Sequence, residues 1–217
     1  MEWIEMDFLP SGGVLAAYTL AVLALNYTPG PDMAMFVGTA ITRGRRAGFA
    51  AFFGTSTGIL VHTLLVTFGL SALLAASPIA FDVLKVVGAL YLLHIAVGAI
   101  RHGSRFAPEG GTLPPEPSAR LYLKGLAINV LNPKVALFFL TFLPQFVEPG
   151  DPAVHGKLLF LGLWFLLVST LSTLPLILGA SGVAAFLKAR PKVMRWIDYV
   201  FAGVMGAFAV RLVTARL

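Results

Sequence analysis

Two short polar segments interrupt the long apolar runs of this sequence, and each places proline beside a charged residue. They are residues 26–32, NYTPGPD, and residues 129–134, NVLNPK. The carboxylate of Asp32 can bind an ammonium group or a proton, and the ammonium of Lys134 can neutralise that carboxylate or release its ligand. Charges are costly in apolar surroundings, so their presence there indicates function. The alternative is a buried ion pair that only fixes the packing.

Neutral polar side chains accompany the two charges and are further candidates for binding substrate or proton. They are Asn26, Thr28, Asn129 and Asn132. Asn and Thr beside proline also cap freed backbone groups locally, so both roles stay open.

His62 follows Gly54 and Gly58 at four-residue spacing, which puts all three on one helix face. We expect the glycines to serve close helix packing. For His62 a hydrogen-bonded core position is favoured over a proton relay. No histidine pair has the spacing of a zinc site, so we expect no metal and no cofactor.

The same segments predict breaks in helices. Pro29, Pro31 and Pro133 lack a backbone donor and cannot continue a helix, and Gly30 allows the chain to turn. The apolar runs on either side of the first break are each shorter than the about 20 residues of a membrane span, but together they suffice. Broken backbone at membrane depth is tolerated only inside protein or beside a water-filled cavity.

The composition is that of a polytopic membrane protein. Apolar residues make up 58% of the 217 residues and charged residues 12%, against roughly 45–50% and about 25% in soluble domains. The lipid bilayer is therefore the first partner. The net charge of +6 does not indicate nucleic acid, because the basic residues fall in short loops between apolar runs. The chain has no cysteine, which excludes disulfide and dithiol chemistry.

The apolar runs predict an all-α integral membrane fold with six transmembrane helices, of which the first and fourth are broken by proline. The predicted spans are residues 13–42, 47–75, 79–100, 121–147, 158–187 and 196–214. We expect one transmembrane domain, residues 1–217, made of a three-helix half at 1–102, a mobile Pro/Gly/Ser-rich linker at 103–119 and a second half at 120–217.

The loops alternate in charge. The first, third and fifth connections carry eleven of the sixteen Lys and Arg residues. The positive-inside rule places these connections in the cytoplasm and both termini outside.

The two halves each contain three spans and a proline break at a similar position. An odd number of spans inverts the second half relative to the first. Inverted repeats with paired broken helices are typical of secondary transporters, whose site lies between the repeats. The alternatives are a membrane-embedded enzyme, for which no HExxH, GxSxG or paired acidic motif is present, and a passive channel. A homodimer is kept as an option.

Several longer motifs resemble one known family. NYTPGPD, GRRAGFAAFFGTSTG, LKVVGALYLLHIAVGAIR and GLAINVLNPKVALFFLTFLPQF occur in the order found in LysE-type translocators, in their homoserine/threonine-resistance branch. The resemblance implies an exporter of the bacterial cytoplasmic (inner) membrane that moves amino acids or close derivatives outward, as a proton antiporter. Many members have Asn after PGP, where this chain has Asp32. The motifs do not specify which amino acid is moved.

The topology can be tested by cysteine labelling in this cysteine-free chain. Single cysteines at Ser11 and Thr214 should react with a membrane-impermeant thiol reagent in intact cells, whereas one at Ser104 should not. Labelling of the cysteine at position 104 alone would show that the orientation is the opposite of the predicted one.

Overall fold

The computed structural model describes residues 9–70, 78–103, 113–147 and 151–214. Every regular element in these ranges is helical, which confirms the all-α prediction. The elements are α1 Gly12–Tyr27, α2 Pro31–Arg43, α3 Arg45–Leu64, α4 Pro78–His102, α5 Ser118–Val130, α6 Pro133–Leu137, α7 Val154–Leu178, α8 Ala180–Ala189 and α9 Pro191–Thr214. A π-helix, Leu65–Leu70, extends α3, and a π-helix, Phe138–Phe142, followed by a 3₁₀ turn, Leu143–Phe146, extends α6.

Three helical segments of the described chain are long and apolar enough to cross a membrane singly, namely Arg45–Gly69, Val154–Leu178 and Pro191–Val210. A fourth candidate is the pair Ser118–Val130 and Pro133–Phe146, which is bent by 49° at the predicted second break. Shorter apolar helices lie at Gly12–Tyr27, Val86–His102 and Ala180–Ala189. The six-span arrangement therefore stays a prediction. The end of its second span, 71–75, lies outside the described residues.

Both breaks form where proline restricts the residue before it. Thr28 and Asn132 each precede a proline and adopt extended backbone, with ψ of 113° and 108°. Pro31 and Pro133 then start α2 and α6 at the first helical position, where the missing N–H would have no partner in any case. These two prolines are thus at favourable helix starts and do not strain a helix interior.

The predicted close packing at the glycines is confirmed. A Cβ at Gly54 would lie 2.0 Å from the carbonyl oxygen of Tyr122, and one at Gly125 would lie 2.1 Å from that of Ala51. Helices α3 and α5 therefore touch backbone to backbone, as small residues allow. This contact holds the second break, at the end of α5, against α3.

A large apolar core lies beside this contact. It joins α1, α7 and α9 to the π-helix after α6, and its aromatic centre includes Tyr18, Phe138, Phe142 and Phe165. Phe138 and Phe142 stack with centroids 4.5 Å apart, and Phe138 contacts Phe165 at 5.5 Å. The segment that follows the second break is therefore anchored by aromatic packing.

The described end of the linker is bound to two helices. Leu113 N donates to the Thr42 carbonyl at 2.9 Å, and Glu116 forms ion pairs with Arg43 and Lys124 at 3.4 and 2.6 Å. The hydrogen bond from Lys124 is the main cause that lowers the pKa of the Glu116 carboxyl. These contacts join residues 113–116 of the predicted linker to α2 and α5, and the mobility of the linker stays a prediction. Residues 104–112 lie outside the described chain.

We expect Gly54→Ala and Gly125→Ala to destabilise the fold by about 1–3 kcal/mol each, because a methyl group must push two backbones apart. Gly203→Ala is the matched control on α9, since its Cβ would meet nothing within 4 Å. There, the better helix propensity should leave stability equal or higher by up to about 1 kcal/mol. Thermal unfolding in detergent measures all three. Equal midpoints would contradict the close-packing account.

Candidate functional site

The two breaks meet at an internal cavity of about 50 Å³, which has room for a few water molecules. Charged and amide side chains from both breaks lie on one part of its wall, and α3 and α7 add hydroxyl and apolar groups. The lining residues are Leu25, Asn26, Thr28, Gly30, Asp32, Met33, Phe36, Phe52, Thr55, Ile59, Asn129, Asn132, Lys134, Val135, Phe165, Ser169 and Thr173. All but one of the predicted binding residues are thus brought together. The exception is His62.

Asp32 lies in the first turn of α2 and faces the end of α5. Its Oδ2 accepts a hydrogen bond of 2.8 Å from Asn129 Nδ2. Its Oδ1 is buried and makes no well-formed hydrogen bond among the described residues, although the side chain of Asn132 lies close enough to interact with the carboxylate. Asn129 Oδ1 is likewise buried without a well-formed hydrogen bond. Two adjacent residues of the cavity wall therefore each carry an acceptor without a well-placed donor. Buried polar atoms in native proteins normally have a partner, so such a pair calls for an explanation.

Lys134 binds backbone carbonyls instead of the carboxylate. Its Nζ donates to the carbonyl oxygens of Leu25 and Thr28, both at 2.9 Å, and lies 5.1 Å from the centre of the Phe201 ring. These carbonyls end α1, where the helix dipole favours a cation. Within the described chain, Lys134 and Asp32 form no ion pair within 4.0 Å, although each lies in the electrostatic field of the other.

Three of the candidate amide and hydroxyl groups make structural contacts in this conformation. Thr28 Oγ1 donates to the Ala24 carbonyl at 2.7 Å, and Asn132 Oδ1 accepts from Lys134 N at 3.0 Å, so both cap a helix end. Asn26 Nδ2 donates to Ser172 Oγ at 3.1 Å, which ties α1 to α7.

His62 lies behind the cavity rather than in its wall. It is buried, its Nε2 lies 3.3 Å from the Asn129 carbonyl oxygen, and its ring is 5.8 Å from that of Phe139. It therefore supports the backbone of the residue that binds Asp32. This is the placement expected of a core histidine.

Sequence reasoning missed two features of the site. Ser169 and Thr173 line the cavity from α7. Their four-residue spacing is the signal that could have found them. Asp198, on α9, is fully buried and acts electrostatically on Lys134. A carboxylate inside a predicted span was itself the available signal.

The described residues contain no group of three His, Asp or Glu side chains that could hold a metal ion. The site thus consists of one carboxylate, one ammonium, amides and hydroxyls at two helix breaks. In an all-helical membrane protein, this arrangement is typical of a transport protein rather than an enzyme.

The chain belongs to the LysE family: the model described as "LysE type translocator" matches residues 23–216. An uncharacterized membrane protein of Pseudomonas aeruginosa is 32% identical, with 92% of this chain and 94% of the relative covered. A "Homoserine/homoserine lactone efflux protein" of Salmonella typhi is 31% identical over 92% and 96%. A "Leucine efflux protein" of an Enterobacter species is 28% identical over 92% and 96%. No solved structure matches significantly.

The family and the names of these relatives confirm the resemblance seen in the sequence motifs. They identify the protein as a membrane translocator and not an enzyme.

Proposed function

We propose that this chain is a secondary active exporter that moves amino acids or close derivatives out of the cytoplasm in exchange for protons. The named relatives that cover nearly the whole chain are efflux proteins for homoserine, homoserine lactone and leucine. The observation that carries the assignment of the site is the pair of buried acceptors, Asp32 Oδ1 and Asn129 Oδ1, in the wall of the cavity at the breaks.

An amino acid in its zwitterionic form supplies what these groups need. Its ammonium has three donors, which match the unpaired acceptors of Asp32 and Asn129. Its carboxylate matches the ammonium of Lys134, and charge-assisted hydrogen bonds are stronger than those that Lys134 makes with neutral carbonyls. The cavity of about 50 Å³ must widen to admit such a substrate, so binding is coupled to movement around the breaks.

Proton coupling follows from the same carboxylate. Asp32 carries a single negative charge, which can bind either a substrate ammonium or a proton but not both at once. Arrival of a proton from outside would then favour release of the amino acid, and loss of the proton inside would restore the binding form. This competition is the simplest route to proton antiport with one acidic group.

The proposal includes the six-span architecture with two inverted three-helix repeats, the bacterial inner membrane and both termini outside. The two breaks support the repeat, since each joins a polar pre-proline residue in extended conformation to a helix that starts with proline. A passive channel is the weaker candidate, because paired proline breaks are typical of alternating-access transporters. Homodimerisation stays a prediction.

The test of this function is flux in proteoliposomes. We expect efflux of at least one member of an amino-acid panel that includes homoserine and leucine to saturate with concentration. It should also stop when a protonophore collapses the pH gradient. Flux that rises linearly and ignores the protonophore would support a channel instead. Absence of flux for the whole panel, with correctly folded protein, would reject the exporter.

The roles of Asp32 and Lys134 can be separated by paired substitutions. Asp32→Asn should keep the hydrogen bond with Asn129, leaving stability within about 1.5 kcal/mol, but abolish export driven by a proton gradient. Lys134→Ala should destabilise the protein by about 1–3 kcal/mol for each backbone carbonyl it leaves unpaired. The double variant Asp32→Asn/Lys134→Gln should be stable and inactive.

Asp151→Asn is the matched control, since it removes the same charge from an ion pair with Lys157 outside the cavity. It should retain export. Proton-coupled export by the double variant at equal membrane abundance would remove Asp32 from the mechanism.

A further inference from the structure

A second and larger cavity lies on the other side of Lys134. Its volume is about 420 Å³, and it is more open than the first. Its wall includes His94, Gly98 and His102 of α4, Phe201 of α9, and Thr28 with Lys134 from the breaks. We call this cavity the vestibule.

The vestibule and the inner cavity share Thr28 and Lys134 in their walls. These two residues are joined by the hydrogen bond from Lys134 Nζ to the Thr28 carbonyl oxygen, 2.9 Å long. The partition between the cavities therefore includes a long, flexible side chain held by two neutral carbonyls. A stronger ligand for the ammonium can move this side chain without moving a helix.

The part of the vestibule wall on α4 is a single face of that helix. His94, Gly98 and His102 follow at four-residue spacing, so the face extends for about 12 Å from the end of α4 into the molecule. The His94 side chain is exposed. An imidazole at that depth would be costly against lipid but is suited to a water-filled cavity. A Cβ at Gly98 would meet nothing within 4 Å, so the middle of this face is open.

We propose that the vestibule is an entry site that binds the carboxylate of the exported amino acid. Lys134 is the gate between this entry site and the inner cavity. The N–H groups of His94 and His102 are donors along the path, and Lys134 is the cation at its inner end. When the carboxylate arrives, it replaces the carbonyls of Leu25 and Thr28 as the partner of Lys134, because a charge-assisted hydrogen bond is the stronger one.

Two charged groups of α9 lie beside Gly103, which lines the vestibule just after the end of α4. A Cβ at Gly103 would be 2.9 Å from Arg195 Nη1 and 3.2 Å from Asp198 Oδ2. Arg195 donates to the Ile100 carbonyl at 2.8 Å and so caps the end of α4. The predicted third connection, which follows α4, carries basic residues and is therefore expected in the cytoplasm. The end of the vestibule at Gly103 then opens toward the cytoplasm, where an exporter collects its substrate. This inference rests on the proposed export function.

The experiment uses Gly98→Cys in the full chain, which has no other cysteine. The reconstituted variant is assayed for flux before treatment, after complete reaction with a methanethiosulfonate reagent, and after the adduct is removed with reductant. We expect flux to be lost on reaction and restored by reductant, because the adduct fills the vestibule of an already folded protein. Saturating substrate should slow the reaction. An impermeant reagent should react in inside-out but not in right-side-out vesicles.

Gly203→Cys is the matched control, since this position on α9 is exposed, lies outside both cavities and also has no neighbour within 4 Å of a Cβ. Its modification should leave flux unchanged. If Gly98→Cys does not fold, Ala99→Cys, in the same wall, replaces it.

Unchanged flux after complete modification of Gly98→Cys would overturn the vestibule while leaving the exporter intact. Reaction only in right-side-out vesicles would overturn its role as the entry. Absence of flux in the unmodified wild type would instead reject the exporter, and this inference with it.

Discussion

The need to satisfy backbone carbonyls where a helix ends in apolar surroundings governs this structure. Helix α1 stops at Tyr27 because Thr28 precedes a proline, and the carbonyls of Leu25 and Thr28 then lack the donors that a continuing helix would supply. Lys134, from the second break, provides both. One break is thus stabilised by the other. Any movement that releases Lys134 must offer it another acceptor, which links the backbone of the first break to the chemistry of the site.

The charges are separated in a way that keeps each available to a ligand. Asp32 accepts a hydrogen bond from the neutral amide of Asn129, interacts more weakly with the neutral side chain of Asn132, and leaves its second oxygen without a well-formed hydrogen bond among the described residues. Lys134 donates hydrogen bonds to neutral backbone carbonyls and interacts electrostatically with both Asp32 and Asp198. A direct ion pair between Asp32 and Lys134 would neutralise both groups and hold them more tightly. Neutral partners hold the two groups in place and give them up at lower cost to a charged ligand.

The structure combines a rigid helical frame with a few side chains that can move. The glycine contact between α3 and α5 allows almost no adjustment, since a single Cβ there would meet backbone atoms within about 2 Å. The aromatic cluster fixes the segment after the second break in the same way. Against this frame, the Lys134 side chain is held by two hydrogen bonds and by the Phe201 ring, between a small cavity and a larger one. Movement is therefore expected at the breaks and not at the α3–α5 contact.

The sequence by itself determined the helical membrane class, both break positions and the family, because proline restrictions, apolar runs and motif order are local properties of the chain. It also identified Asp32 and Lys134, since charges in apolar runs are visible without a structure. It did not determine what these charges bind. The partner of Lys134 lies more than one hundred residues away. The roles of Thr28 and Asn132 as caps, and of Asn26 as a link from α1 to α7, depend on where neighbouring helices end and pack. Only the tertiary structure decided that Asp32 binds an amide, that Ser169 and Thr173 reach the cavity, and that His94 and His102 share a wall with Lys134. These are contacts between distant segments, and helix packing sets them.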